Sequence, residues 1–367
     1  MRIVHISNVW PPYFGGQGKV VLEEVQALYE LGQEVSVVTF DFGQDKNDYP
    51  WPVYYLKPKL HFGLSGLFYS GLKDKLKGAD IIQLHLPSFG LDLGLLWYAF
   101  RHRRKKIVIY YHMDPVGNGL VGLIFVLWRS LILPMLVSRA RLVIGSTADY
   151  LEHSIVWKYL KECRCQSEVV PFGVSQEFFL AQSKSSARPY FLCVGSLDVQ
   201  HKNKNLLWLL KTWAEAGLEK KAELWIVGGG VLEDYYKKYA QSLGLTSIVF
   251  KGRVSAEILP SFYAGASATI LPAKSRTEAF GLVQLESLAT GTPVIVQDIW
   301  GVREVAKNFG HSSGFIIPVD DSASLISLLY FILETRPRFQ ADFEQLKKNW
   351  SWHAHAKKLL EIYNYAP

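Results

Sequence analysis

Two glutamates eight residues apart, Glu278 and Glu286, stand in the stretch SRTEAFGLVQLESLATGTPVIV, residues 275–296. The pattern predicts a loop at Glu278, a helix from about Phe280-Gly281 to Ala289, a stop at Gly291 and a strand opened by Pro293. Eight helical residues rise roughly 12 Å. A retaining glycosidase needs its two carboxyls about 5–5.5 Å apart, so this is no acid/base pair of that kind. The spacing suits an elongated ligand. The helix start carries partial positive charge and free N–H groups that can hold phosphate. One carboxylate would reach a sugar and the other a ribose. The plainer alternative makes Glu286 a solvated helix residue.

Three further stretches could carry chemistry. PPYFGGQGK places Gly15 and Gly16 between the first strand and the first helix, where bare backbone can approach a phosphate. It is neither G-x-G-x-x-G nor a P-loop. YYHMDP puts His112 at the carboxyl end of a strand, able to donate a hydrogen bond or act as a base, with His85 in a similar position. VGSLDVQHKNKN carries Lys202 and Lys204 ahead of a helix, where a lysine can neutralise a departing diphosphate. No Asp-x-Asp occurs in the chain, so carboxylate-held Mg²⁺ or Mn²⁺ is not expected and no essential metal is predicted.

These residues need a scaffold, and the pattern supplies one. Buried strands (Ile3–Ser7, EVSVVTF, ADIIQLHL, KKIVIYYH, ARLVIGS) alternate with helical segments, the first with Val21, Val25, Leu28 and Leu31 in helical spacing. After SEVVPFGV the alternation begins again with YFLCVGS, AELWIVGGG, SIVFKG, ATILPA and PVIVQD. The expected fold class is α/β, two doubly wound Rossmann-like domains facing across a cleft. The domains are placed at residues 1–174 and 175–345, with a closing helix over 346–367 packing back on the first. Ligands of such sheets sit at the carboxyl ends of the strands.

The 367 residues are 49% hydrophobic and 14% aromatic, with a net charge of +7. That composition is globular, and the mild basicity suits an anionic ligand or surface. Three cysteines, Cys163, Cys165 and Cys193, give no disulfide framework and point to a reducing compartment. The N-terminus lacks the apolar core of a signal peptide. Leu120–Val137 is apolar but holds Arg129 and Pro134, which favours a buried or membrane-surface helix over a span.

In order and spacing, EAFGLVQLESLATGTPVIV, the early GG, VGSL…KN, LWIVGGG, VFKGRVS and GVREV…GFIIPVDD resemble the family 4 retaining glycosyltransferases of GT-B fold, with their E-x₇-E signature. The resemblance spans nearly the whole chain. It implies that Glu278 holds donor-sugar hydroxyls, that Phe280, Gly281 and Leu282 offer N–H groups to sugar and phosphate, and that Glu286 binds the ribose. It places Arg253 and Val254 beside the base, Gly15 and Gly16 at the diphosphate, His112 at the sugar and Lys202 at the leaving group. The implied donor is a UDP- or GDP-linked sugar, used as co-substrate without a cofactor. One departure stands out. The family has an arginine where this chain has Ser196, so a positive charge at the diphosphate is missing. Arg276 is a candidate replacement, and the choice between Lys202 and Lys204 stays open.

The acceptor is expected on the first domain. There RHRRKK, residues 101–106, lies in sequence among Trp10, Tyr13, Phe14, Phe62, Phe68, Tyr69, Trp97, Tyr98 and Phe100. Basic and aromatic residues together fit the cytoplasmic face of an anionic membrane and a lipid-linked saccharide acceptor, as in cell-surface polysaccharide assembly. No nucleic-acid motif accompanies the charge. Two rival functions are a non-catalytic GT-B subunit scaffolding a partner transferase, suggested by Ser196, and a nucleotide-cofactor oxidoreductase, disfavoured by the absent G-x-G-x-x-G.

Overall fold

The structure is a computed structural model describing the chain except residues 13–14, 103–105, 184–185, 199–203, 311–312, 338–342 and 366–367, together with the side chains of 106, 343–345 and 365. The chain forms two compact units, Met1–Gly173 with Trp352–Pro367, and Val174–Ser351.

The first unit runs β1 Arg2–Ile6, α1 Gly16–Glu30, β2 Glu34–Phe40, β3 Val53–Leu56, β4 Leu60–Phe62, β5 Ser65–Leu67, α2 Leu72–Leu76, β6 Ile81–Leu86, α3 Leu91–Arg101, β7 Lys106–Tyr111, α4 Gly119–Leu127, a π-helical turn Trp128–Ile132, α5 Leu133–Val137, β8 Leu142–Gly145, α6 Ala148–His153, α7 Ile155–Cys163 and β9 Gln166–Val169. The second runs α8 Gln176–Phe179, β10 Tyr190–Val194, α9 Leu206–Ala216, β11 Glu223–Val227, α10 Glu233–Ser242, β12 Ile248–Gly252, α11 Leu259–Gly265, β13 Ala268–Leu271, α12 Leu282–Ala289, β14 Val294–Gln297, α13 Val302–Asn308, β15 Gly314–Ile317, α14 Ser322–Thr335 and α15 Phe343–Trp350; α16, Trp352–Tyr365, returns to the first.

Seven strands of the first unit order as β3-β2-β1-β6-β7-β8-β9, and six of the second as β12-β11-β10-β13-β14-β15. Every neighbouring pair in both sheets is parallel. Parallel strands are buried on both faces, which is why they read as continuous apolar runs. In each sheet the strand order reverses beside the first strand, at β1/β6 and at β10/β13, which makes a crevice at the carboxyl ends. The second unit's core packs Phe191, Leu209, Trp213, Leu224 and Ile270 with α14 residues Leu325 and Leu329.

The tail corrects the expected closing helix over 346–367. It breaks at Ser351, which bridges Val174, while the Trp350 carbonyl accepts from the Val174 amide at 2.8 Å. Those bonds hold 346–351 in the second unit, and only α16 packs on the first, against α1.

The apolar segment is continuous helix over Gly119–Val137, 19 residues of mean hydropathy 2.3, long and apolar enough to cross a membrane by length and composition. It is not the buried helix that was one expectation. Only 22% of it is buried, and Leu120 is 74% exposed. The π turn brings Trp128 inward, where its Nε1 donates to the buried Asp92 at 2.6 Å. Of the aromatics grouped with it in sequence, Phe62, Phe68, Trp97 and Phe100 are exposed, whereas Trp10 and Tyr98 are buried. Arg101 lies 3.9 Å over Trp97, and Arg139 4.0 Å over Phe100. Tyr13, Phe14 and the centre of RHRRKK fall outside the described residues.

Candidate active site

In the second unit Lys204 and Glu278 meet in the loops that follow β10 and β13, at the strand-order reversal. Gly195 follows β10, and the β11 turn presses on it: a Cβ at Gly228, φ 130°, would stand 2.0 Å from the Gly195 carbonyl oxygen. Backbone meeting backbone leaves room only for glycine there. Lys204 lies over Gly195, its Nζ 2.6 Å from where a Cβ would be. The same Nζ is 3.8 Å from Glu278 Oε2, both groups about a quarter exposed. Ser196 turns to Asp198, its hydroxyl donating to Oδ2 at 2.8 Å. Arg253 leans on Gly229, whose notional Cβ would be 3.0 Å from the Arg253 Cγ, and Val254 follows it, partly buried. Lys274 pairs with Asp320 at 3.0 Å, and Asn205 donates to the other Asp320 oxygen. Arg276 stacks over Trp300 at 5.4 Å. Lys202 lies outside the described residues.

The stretch 275–296 forms the loop, helix and strand that its pattern predicts. Phe280 is buried, and Gly281 caps α12 with φ 74°; among the described residues no side chain caps that end. The positive φ favours glycine, and a Cβ on Gly281 would lie 2.6 Å from Leu271 Cδ2, so that side chain would have to shift. Leu282 begins α12, directly after the loop that carries Glu278. Glu286 is not a solvated helix residue: it is 6% exposed and accepts from the Tyr263 hydroxyl at 2.7 Å. Burial and the Glu286 charge push the Tyr263 phenol well above its ordinary range, so it stays a donor.

In the first unit His112 follows β7, its amide bonded to the Leu86 carbonyl at 2.9 Å. Gly15 caps α1 in extended backbone, and Cβ atoms at Gly15 or Gly16 would meet nothing within 4 Å. The protein's own packing therefore does not demand glycine there, which leaves the space for something else to approach.

Sequence reading missed what lies behind His112. His112 Nε2 is 2.9 Å from His85 Nδ1, His85 Nε2 is 3.1 Å from His5 Nδ1, and Glu24 Oε1 is 3.3 Å from His5 Nδ1. His355 of α16 reaches Glu24 Oε2 at 2.9 Å, and Gln83 donates to Oε1. All are buried. Burial would raise the Glu24 carboxyl, but hydrogen bonds from His355 and His5 hold it far below the usual carboxylate range. Burial pushes His85 well down and His112 to about 3. His5, Glu24 and His85 are the group among the described residues close enough to share a cation. Their spacings are equally those of shared protons, and the Gln83 amide already occupies Glu24 Oε1. The signal was Glu24 itself, a charge at i+3 from Val21 and i−4 from Leu28 on the apolar face of α1.

Two doubly wound parallel sheets in series, each reversing its strand order beside its first strand, make this a protein of GT-B architecture. Comparison with known proteins agrees with that class. The model of Glycosyltransferase Family 4 matches residues 14–175, and that of Glycosyl transferases group 1 matches residues 175–350. The chain is 26% identical over 345 residues to O-antigen chain mannosyltransferase C of Escherichia coli, covering 90% of this chain and 88% of that one. It is 26% identical over 349 residues to D-rhamnosyltransferase WbpZ of Pseudomonas aeruginosa, covering 91% and 87%. Anabaena HepE, solved in complex with UDP, has a similar fold, with a TM-score of 0.72 at 16% identity over 99% of this chain and 100% of that one. The chain belongs to the glycosyltransferases.

Proposed function

We propose that the protein is a retaining, metal-independent glycosyltransferase that moves a sugar from a UDP- or GDP-linked donor to a saccharide acceptor in cell-surface polysaccharide synthesis. The observation that carries the reading is the set of groups at the β10/β13 switch point: Lys204 over Gly195 and beside Glu278, an α12 start opened by Gly281, and Glu286 anchored by Tyr263. The mannosyl- and rhamnosyltransferase names of the full-length relatives support the polysaccharide context. The UDP bound to Anabaena HepE supports the nucleotide donor.

In this reading Glu286 takes the ribose hydroxyls and Arg253 and Val254 flank the base. The amides of Phe280, Gly281 and Leu282 meet the sugar and phosphates, and Gly15 and Gly16 approach the diphosphate. Glu278 orients the sugar, and His112 hydrogen-bonds it near the reacting carbon. Lys204, with Lys202 and Arg276 as further cations, supplies the charge that Ser196 does not. The bond from the anomeric carbon to the diphosphate oxygen breaks as the acceptor oxygen attacks from the same face, and the departing diphosphate oxygen takes the acceptor proton. The cation at Gly195 weakens the case for a non-catalytic scaffold. Glu278→Ala should abolish transfer and leave free nucleotide affinity within about threefold. Equal loss of nucleotide and nucleotide-sugar binding would remove Glu278 from the sugar, and a strict Mg²⁺ requirement for chemistry would contradict the metal-free mechanism.

We further propose that α4 rests on the cytoplasmic face of an anionic membrane and that the acceptor is lipid-linked. Leu120, Leu123, Ile124 and Leu127 are exposed, and Arg101 and Arg139 cover exposed aromatic rings. Flotation with vesicles containing anionic lipid tests this. Replacing the four apolar residues by serine should abolish flotation with unchanged thermal stability, and failure of the unaltered protein to float would end the claim.

A further inference from the structure

We infer that Glu24, His5 and His85 form a buried relay of hydrogen bonds that fixes His112 in one tautomer, Nδ1–H, and so makes it a hydrogen-bond donor rather than a base. The inference deepens the proposed reading, in which His112 meets the donor sugar, and it follows from which atoms can donate.

Glu24, as a carboxylate, only accepts. The Gln83 atom against its Oε1 is therefore the amide nitrogen, while the Gln83 oxygen accepts from the Tyr363 hydroxyl. His355 faces the Pro171 carbonyl with Nδ1 at 2.7 Å and Glu24 with Nε2 at 2.9 Å. Both partners accept, so the Glu24–His355 pair holds a proton between its members and α16 closes the anionic end of the relay.

His5 is the decisive ring. Its Nε2 is buried and, among the described residues, has no hydrogen-bond partner. A buried N–H without an acceptor costs more than a bare lone pair, so the His5 proton sits on Nδ1. There it faces Glu24 Oε1 at 3.3 Å and His85 Nε2 at 3.1 Å. His85 Nε2 also stands 3.4 Å from the Gln83 amide nitrogen, a second donor, while Glu24 Oε1 at 3.6 Å lies beyond hydrogen-bond reach of it. His85 Nε2 must accept, and the His85 proton sits on Nδ1. That proton points at His112 Nε2, 2.9 Å away, so His112 Nε2 accepts as well. The neutral His112 ring then carries its proton on Nδ1, where among the described residues no protein group takes it.

Glu24, His5 and His85 are thus positioning residues. They present His112 to a ligand as an N–H suited to a hydroxyl or phosphate oxygen. They also deny the ring the free lone pair that proton abstraction needs.

The test uses the full chain labelled with ¹⁵N-histidine and long-range proton–nitrogen correlation at pH 7, with His112 assigned from the spectrum of His112→Asn. The expected pattern is a pyrrole-like Nδ1 and a pyridine-like Nε2 for His112 and His85. Glu24→Gln should broaden or mix the His112 pattern and lower kcat about tenfold with the donor KM little changed. A pyrrole-like Nε2 on His112 would overturn the inference. So would one equivalent of divalent cation found by elemental analysis, since His5, Glu24 and His85 would then be ligands. A kinetic arm follows the donor role: His112→Asn, with an amide N–H near the former Nδ1, should keep at least a tenth of kcat, and His112→Asp should lose more than a hundredfold. Equal loss in both would also count against it. The spectra do not depend on sugar transfer, so an inactive protein with the expected pattern would sink the proposed function and leave the relay standing.

Discussion

Tyr263→Phe removes one atom, the hydroxyl oxygen that meets Glu286. The Tyr263 ring is fully buried and its hydroxyl gives Glu286 a 2.7 Å bond inside the protein. Phenylalanine keeps the ring packing and loses only the donor. A hydrogen bond to a charged group contributes about 1.5–3 kcal/mol, and the carboxylate left behind is buried. We expect Tyr263→Phe to lower the unfolding free energy by about 2 kcal/mol, read as a lower urea midpoint with an unchanged slope. With Glu286→Gln present the bond becomes a neutral one of about half the strength. The same change should then cost about 1 kcal/mol, leaving a coupling of about 1 kcal/mol in the double-mutant cycle. The anchor also aims the carboxylate, so nucleotide affinity by calorimetry should fall about tenfold, an effect of about 1.4 kcal/mol. An unchanged midpoint together with unchanged affinity would refute the claim that Tyr263 holds Glu286 ready for a ligand.

Other perturbations separate binding from folding. Lys204→Met should raise the donor KM about tenfold or more, because it removes the cation at Gly195 and Glu278, while thermal stability changes little; steady-state kinetics with calorimetric melting checks both. Gly228→Ala should destabilise by about 3 kcal/mol or more, since its Cβ would strike the Gly195 carbonyl at 2.0 Å; urea unfolding or loss of soluble protein reports it. Glu219 accepts from the amides and hydroxyls of Thr246 and Ser247. Burial opposes its charge, but those bonds outweigh it and hold its pKa below the ordinary 4.5. A lowered carboxyl pKa adds stability that is complete above pH 4.5 and lost as pH falls through the folded value. Glu219→Gln should therefore cost stability at pH 7 and much less at pH 3, and equal losses at both would contradict the assignment.

The doubly wound sheets were readable because parallel strands buried on both faces are written as β-branched runs, as in IIQLHL and PVIVQD. The two short edge strands of the first sheet were not. VYYL of β3 is mostly half-buried, and QSEV of β9 alternates exposed with half-buried residues. Each looks like loop because it has one neighbour and little core to face. In the second unit the loop, glycine and helix of residues 275–296 were legible, since Gly281 and Gly291 both mark positive φ. The bond from Tyr263 to Glu286 was not, because 23 residues separate partners that meet only when α11 packs on α12. Lys204 over Lys202 was undecidable from spacing. The structure puts Lys204 against Gly195, and Lys202 lies beyond the described residues. The relay behind His112 joins residues 5, 24, 85 and 355, and only the tertiary fold brings such distant polar groups into one buried line.

The central claim, that the Val174–Ser351 unit holds a nucleotide sugar by Glu286 and the α12 start, is tested most directly by calorimetric titration of the full chain with UDP- and GDP-sugars. The account predicts saturable one-to-one binding of one of the two nucleotide classes, undiminished by chelator and weakened at least a hundredfold by Glu286→Ala. Absence of binding to every donor, or full affinity in Glu286→Ala, would contradict it.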